Sequence, residues 1–328
     1  MRNGSLLLMD TSRKMIKRVA ELFISCNDMK KELSILIPTK DYICTRLVKE
    51  LVKQATAIQD LIFEVIVADD GSDVQEMIEA NKAINQFLHC KYIIRETNVG
   101  RSAIRNFLAS QATYPHLLFL DSDVYLPTSL FLQQYIDVMD SASVIYGGII
   151  NDNNKSKWKE NLRYKYEKDS ENKHDLKHRQ ASPYRSFCTP NFLINKEVIL
   201  NHPFDETIKA YGYEDVILGR TLEQHGITIQ HIDNPILICE FEDNKAYLNK
   251  IKTALTTLFY IQDKVQNHSQ LVIAMHLIKR LHLTNLVSTA FLLVQNKLEK
   301  RLIYSKNPSL LLLKLYKIGF FISIQKHQ

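Results

Sequence analysis

Short apolar runs and segments of helical period take turns along the first half of the chain. Leu33 to Pro38 reads LSILIP, an apolar run stopped by proline, the pattern of a buried strand. Arg46 to Ile58 follows, with Leu47, Leu51, Ala55 and Ile58 at helical spacing. Phe63 to Ala68 predicts a second strand, Val74 to Phe87 a helix, Lys91 to Arg95 a third strand and Ser102 to Ser110 a helix. His116 to Leu120 predicts a fourth strand, Thr128 to Met139 a helix and Ser143 to Ile150 another strand. Alternation at this spacing belongs to βαβ units, so the expected class is α/β, a mostly parallel central sheet with helices on both faces.

The rhythm then changes. Asn151 to Arg179 is polar, with nine Lys or Arg and five acids between Lys155 and Arg179, and reads as a solvated helix or loop rather than a polyanion site. Phe192 to Ile194 predicts a strand, Glu214 to Gln224 a helix and Ile227 to Ile232 a strand. From Lys245 onward the pattern is helical, broken near Asn307-Pro308. Four parts are therefore expected. Residues 1–28 form an N-terminal extension outside the fold, 29–125 the first half of the α/β domain, 126–240 its second half, and 241–328 a helical basic region.

Charge sharpens this division. The net charge of +6 is uneven: Ser269 to Gln328 holds nine Lys or Arg against Glu299 alone, a net of +8, so the preceding chain sums to −2. Its apolar segments Leu271 to Leu293 and Leu310 to Ile324 carry scattered cations, which fits peripheral attachment to an anionic membrane surface. Packing of the same helices on the α/β part is the alternative. No apolar run is long enough for a transmembrane helix. Five scattered cysteines without CxxC spacing argue against a disulfide framework or structural zinc, and for a reducing, cytoplasmic setting. Nucleic-acid binding would rest on tail charge alone, with no matching motif, and is discounted.

Ligands of an open parallel sheet sit at the carboxyl ends of its strands. Three polar clusters fall at such ends: Thr39-Lys40-Asp41, Asp69-Asp70-Gly71-Ser72 and Asp121-Ser122-Asp123. Two carboxylates two residues apart after the apolar run LLFL can aim at one hard cation, and Mg²⁺ or Mn²⁺ is held by one or two carboxylates plus substrate phosphates. A strand-end turn capped by Asp123 is the plainer reading of the same three residues. Tyr211-Gly212-Tyr213-Glu214-Asp215 opens a helix. Its acids suit that helix N-terminus, and equally a base that takes the proton of an acceptor hydroxyl.

In order, SILIPTKDY, VIVADDGS, ETNVGRSAIRN, FLDSDV, PNFLINKEV and FDE…YGYEDVILGRTLEQHG resemble the family 2 glycosyltransferases of GT-A fold, from about Leu33 to Pro235. The resemblance implies a Rossmann-like nucleotide-binding half, 29–125, fused to an acceptor half, 126–240, and transfer with inversion from a nucleotide-sugar, expected to be a UDP-sugar, to a hydroxyl of a glycan or lipid-linked acceptor. By position it implies that Pro38, Thr39 and Asp70 line the uridine pocket, that Asn98, Gly100 and Arg101 support the nucleotide, and that Arg105 lies near the diphosphate or its acids. Asp121 and Ser122 would touch the donor, Asp123 with Asp121 would hold Mn²⁺ or Mg²⁺, Asp215 would act as general base, and Glu214 would hold a sugar.

The chain departs from that family in two places. Ile238 stands where relatives of the IDNPxxH type place a third metal ligand, with His231 nearby read as structural. Cys188-Thr189-Pro190 replaces a glycine-rich segment at the donor sugar. Two other readings compete. A sugar-1-phosphate nucleotidyltransferase lacks support, since no glycine follows the first strand in Pro38-Thr39-Lys40-Asp41. A nucleotide-sugar-binding protein that lost turnover and docks through its tail to membrane or polyanion draws on the missing histidine.

Overall fold

The computed structural model describes residues 30–171, 173–265 and 269–325. The expected extension over 1–28 lies outside them. Strands β1 (Lys31–Thr39), β2 (Leu61–Asp69), β3 (Cys90–Ile94) and β4 (His116–Leu120) are mutually parallel. With β5 (Val144–Tyr146), β7 (Asn191–Asn195) and β8 (Ile229–His231) they form a seven-stranded sheet in the order β3-β2-β1-β4-β7-β5-β8. Only β7 runs antiparallel to its neighbours, β4 and β5. A second, two-stranded sheet pairs β6 (Ile149–Asn151) with β9 (Ile236–Ile238).

Side chains alternate across the strands with period two, and two cores result. Leu33, Ile35, Ile37, Val65, Val67 and Leu118 face α1 (Thr45–Ala57) and α4 (Phe131–Ile136). Leu36, Ile66, Phe119, Phe192 and Ile194 face α3 (Arg101–Gln111), α7 (Lys196–Asn201) and α8 (Glu214–Gln224). Both faces of the sheet are thus covered, which explains why β1, β2 and β4 read as continuous apolar runs.

Several sequence expectations need correction. The single strand expected over Ser143 to Ile150 is two, β5 and β6 in different sheets, because Gly148 turns the chain at φ +100 and Gly147 packs too tightly for a side chain, against Asn234, Asn191 and Tyr135. The helix expected over Val74 to Phe87 is α2 (Gln75–Asn81) followed by a 3₁₀ turn at Lys82–Gln86. Buried Asn81 at this junction accepts the Cys44 N–H and donates to the Tyr42 carbonyl, tying the turn to the β1–α1 loop. The helix expected from Thr128 starts only at Phe131, where Gln54 accepts the Leu132 N–H and donates to the Thr128 carbonyl.

The segment read as solvated is mostly exposed or half-buried, but is anchored at a few buried residues. Within it, α5 (Leu162–Glu171) buries Leu162 and Tyr164, and α6 (Leu176–Ala181) buries Arg179 against the Tyr146 ring and the Gly147 and Ile232 carbonyls. Four helices close the chain: α9 (Asn244–Val265), α10 (Gln270–Arg280), α11 (Thr284–Tyr304) and α12 (Leu310–Ile324). Leu248, Ile251, Leu255, Leu258 and Ile261 line one face of α9 and meet Leu162, Ile208 and Ile217 in a third core with Leu313, Tyr316 and Phe321 of α12. This shared core packs the helical region against the α/β part.

Candidate active site

The ends of β1 and β2 are knitted together by their own polar residues. Asp69 accepts the Ser72 N–H (2.7 Å), the Ser72 hydroxyl (2.9 Å) and the Tyr92 hydroxyl (2.6 Å). Asp41, at φ +49, accepts the N–H groups of Asp73 (2.7 Å) and Val74 (3.0 Å), while Lys40 donates to the Gly71 carbonyl (2.6 Å). Of the DDGS acids, Asp69 is therefore the turn builder and Asp70 the one left at the pocket.

Asp70 is buried and accepts the N–H groups of Val99 (2.8 Å) and Gly100 (3.1 Å). Gly100 lies at φ +92, and a Cβ there would stand 2.8 Å from the Lys209 carbonyl oxygen, so this loop position requires glycine. The loop bears on the site through Asp70 rather than directly. Asn98 and Gly100 themselves line a separate groove of about 650 Å³ with Arg95 and Lys209.

A cavity of about 240 Å³ lies at the carboxyl ends of β1, β2 and β4, and Pro38, Thr39, Asp70, Arg101, Arg105, Asp121, Ser122 and Asp123 all line it. A second cleft of about 420 Å³ shares Arg101, Asp121 and Asp123 with the first, and adds Glu214 and Asp215 from the start of α8. The structure thus brings together ten of the sequence-expected residues and leaves out Asn98 and Gly100.

Two arginines on α3, one turn apart, hold the acids of this junction. Arg105, its side chain 2% exposed, places Nη2 2.6 Å from Asp121 Oδ1 and Nη1 3.7 Å from Glu214 Oε1. Arg101 places Nη1 3.5 Å from Glu214 Oε1 and 4.0 Å from Asp121 Oδ2, over the Tyr211 ring. Glu214 is buried and shared between both guanidiniums, so its Oε1 orders the arginines.

Asp123 is different: burial and then the charge of Asp121 push its carboxyl up, and no ion pair reaches it among the described residues. Among those residues no three His, Cys, Asp or Glu groups converge as a metal cluster. The pair Asp121–Asp123 still fits a sparse Mg²⁺ or Mn²⁺ site completed by substrate phosphates, because a crowded, underneutralised carboxylate gains most from a cation. Ile238 lines the cleft at the position where the sequence resemblance implies a histidine. His231 is turned away: it contacts Pro183 O (3.0 Å) and Arg179 (3.4 Å), and burial lowers its pKa to about 4.

Asp215 stands at the N-terminus of α8, preceded by Gly212 at φ +104 and Tyr213 at φ +70. Its carboxylate accepts the Val216 N–H (2.8 Å). Burial, then the neighbouring Glu214, push it up to about 6. A carboxyl that titrates near neutrality and opens onto a cleft is suited to proton abstraction.

Sequence reasoning missed the far wall. Arg163, Tyr166 and Glu167 of α5 line the second cleft, and Lys250 of α9 lines both cavities. Glu242 holds Lys250 at 2.8 Å and pairs with Arg163. The one trace in the sequence is the pair of small residues Ala254 and Thr257 that follow Lys250 on one face of α9: Thr257 donates to the Tyr211 carbonyl, and Ala254 packs where a Cβ on Gly212 would fall.

Fold and site together define an α/β enzyme of GT-A type, with two cavities meeting at an acidic pair. The sequence model described as Glycosyl transferase family 2 matches residues 34–201, just over half of the chain. The chain belongs to glycosyl transferase family 2 and is a glycosyltransferase. No curated protein matches it. Among solved structures it is similar to S. aureus TarS 1-349, at 18% identity, covering 90% of this chain and 92% of that one, with a TM-score of 0.47. TarS 1-349 in complex with UDP-GlcNAc gives 17%, the same coverages and 0.46. Glucosyl-3-phosphoglycerate synthase from Mycobacterium tuberculosis, in complex with Mn²⁺, UDP and glucosyl-3-phosphoglycerate, gives 15%, 70% and 79%, and 0.44.

Proposed function

We propose that the enzyme transfers a sugar, with inversion, from a UDP-sugar to a hydroxyl of a glycan or lipid-linked acceptor. The observation that carries this reading is that the two cavities meet at Asp121 and Asp123, with Asp215 on the side of the second cleft. In this reading the nucleotide occupies the smaller cavity, against Pro38, Thr39 and Asp70. A carboxylate has about four acceptor sites, of which Asp70 uses two on Val99 and Gly100, leaving room for a base N–H. The diphosphate lies toward Arg101, Ser122 and Lys250, with Asp123 and Asp121 as the residues that hold Mg²⁺ or Mn²⁺. When bound, that cation neutralises charge developing on the departing diphosphate.

The acceptor occupies the larger cleft. Asp215 takes the proton as the acceptor oxygen attacks the anomeric carbon, and the leaving group departs from the opposite face in a single displacement. Glu214 keeps the two arginines in place rather than touching the sugar. Tyr166, Tyr211 and Tyr213 offer rings to a saccharide, with Glu167 as a hydroxyl acceptor. The test is a panel of UDP-, GDP- and dTDP-sugars assayed for nucleoside diphosphate release with Mn²⁺ or EDTA. Metal-dependent release from a UDP-sugar supports the reading, and release only from another nucleotide's sugars corrects the base. No release from any of them would overturn it.

A further inference from the structure

The sequence leaves open whether both apolar tail segments face outward. In the structure they differ. Helix α12 turns Leu313, Tyr316 and Phe321 into the third core, and its Gly319 packs against the Phe291 ring of α11. Helices α10 and α11 meet at 117°, and neither is long and apolar enough to cross a membrane. Each buries one stripe, Val272 and Met275 on α10, Ser288, Phe291 and Leu302 on α11. The opposite stripe of this elbow is also apolar: Ile273 and Leu277 on α10, Leu281 and Leu283 at the bend, and Leu286 and Leu293 on α11. Leu286 is 67% exposed and Leu293 82%. A surface this apolar on the outside of a helical pair calls for a covering partner.

The charge beside it selects the partner. Below Leu293, α11 presents Lys297, Lys300 and Arg301, which with Tyr304 line a groove of about 710 Å³. Glu299, the sole acid between Ser269 and Gln325, is engaged by Lys252 at 2.9 Å and by the Tyr316 hydroxyl at 2.7 Å. A second copy would bring like cations together under a two-fold axis. Nucleic acid would meet the cations but leave the leucines in water. A bilayer rich in anionic lipids satisfies both, taking leucines into the acyl boundary and cations at the headgroup phosphates.

We propose that the α10–α11 elbow docks this enzyme on an anionic lipid surface, in the plane of the interface. The test is sedimentation of the full chain with vesicles of phosphatidylcholine alone and of phosphatidylcholine mixed with phosphatidylglycerol. Wild type is expected to pellet only with the anionic vesicles and to be released by salt. Lys297→Gln/Lys300→Gln/Arg301→Gln is expected to lower partitioning about fivefold per cation removed, on the order of a hundredfold in all. Leu286→Ser/Leu293→Ser is expected to abolish binding with an unchanged melting temperature, since both side chains are exposed. The proposal fails if wild type ignores anionic vesicles, or if both variants pellet as wild type does, which would place binding elsewhere in the chain. It also fails if light scattering shows a dimer that the leucine variant dissolves, which would make the face a contact between copies.

Discussion

Arg105 reaches Asp121 at 2.6 Å from a side chain only 2% exposed, so the DxD aspartate is anchored from beneath by a buried cation. That anchor leaves Asp123 as the carboxylate of the motif not engaged by an ion pair among the described residues. The arrangement separates two duties that the bare motif does not distinguish, fixing the strand end and presenting a carboxylate to the substrate.

Removing the anchor leaves two acids with Arg101 as their remaining cation. Arg105→Ala is expected to destabilise the fold by roughly 2–4 kcal/mol, because Asp121 and Glu214 lose their buried counter-charge and keep only the half-exposed Arg101. Urea denaturation measures this. A change under about 1 kcal/mol would mean the cluster is far more hydrated than its burial implies.

Asp215 sets the pH dependence. Its carboxyl is pushed up to about 6, first by burial and then by Glu214, and only the ionised form is a base. kcat/KM is therefore expected to rise with pH through about 6 and level off above it. Asp215→Asn is expected to remove this limb and lower kcat by about a hundredfold to ten-thousandfold.

The same residue carries a stability cost of opposite sign. Its folded pKa lies above its unfolded one, so the fold favours the neutral form and this group's contribution falls as pH rises from about 4 to about 6. Asp215→Asn is expected to raise stability at neutral pH by on the order of 1–3 kcal/mol even as it lowers turnover. Calorimetric melting of the two proteins checks it, and an equal or lower melting temperature counts against the cause assigned here.

Gly100 is expected to tolerate no side chain. At φ +92, with the Lys209 carbonyl 2.8 Å from any Cβ, Gly100→Ala should cost roughly 1–3 kcal/mol and loosen the N–H clamp on Asp70. Lower nucleotide affinity together with a lower urea midpoint is the expected pair of results.

Lys250 belongs to the helical region yet borders both cavities. Lys250→Met is expected to weaken UDP binding on the order of tenfold while leaving uridine binding unchanged, because only the diphosphate meets its charge. Calorimetric titration with both ligands distinguishes this from a general loosening of the pocket.

The α/β core was legible because buried parallel strands are continuous apolar runs, as LSILIP and FEVIVA show. The acids at their ends were legible because strand ends in such sheets converge. Four things were not. The split at Gly147-Gly148 depends on contacts to Asn191 and Asn234 far along the chain. The commitment of the Val99 and Gly100 N–H groups to holding Asp70, with Asn98 Oδ1 also accepting from Gly100, is a loop geometry that no periodicity encodes. Arg163, Glu167 and Lys250 sit on helices whose pattern is set by burial on one face, so the face lining the cleft resembles ordinary solvated surface. The antiparallel β7 was likewise hidden, since NFLIN reads the same in either direction.

The central claim, that nucleotide and metal meet at Asp121 and Asp123, is tested most directly by titrating UDP into the protein with Mn²⁺ and then with EDTA, repeated on Asp123→Ala. Binding that requires Mn²⁺ and is lost in the variant is the expected result. UDP binding of equal strength with EDTA, or unchanged in Asp123→Ala, would contradict it and remove the metal from this account of the site.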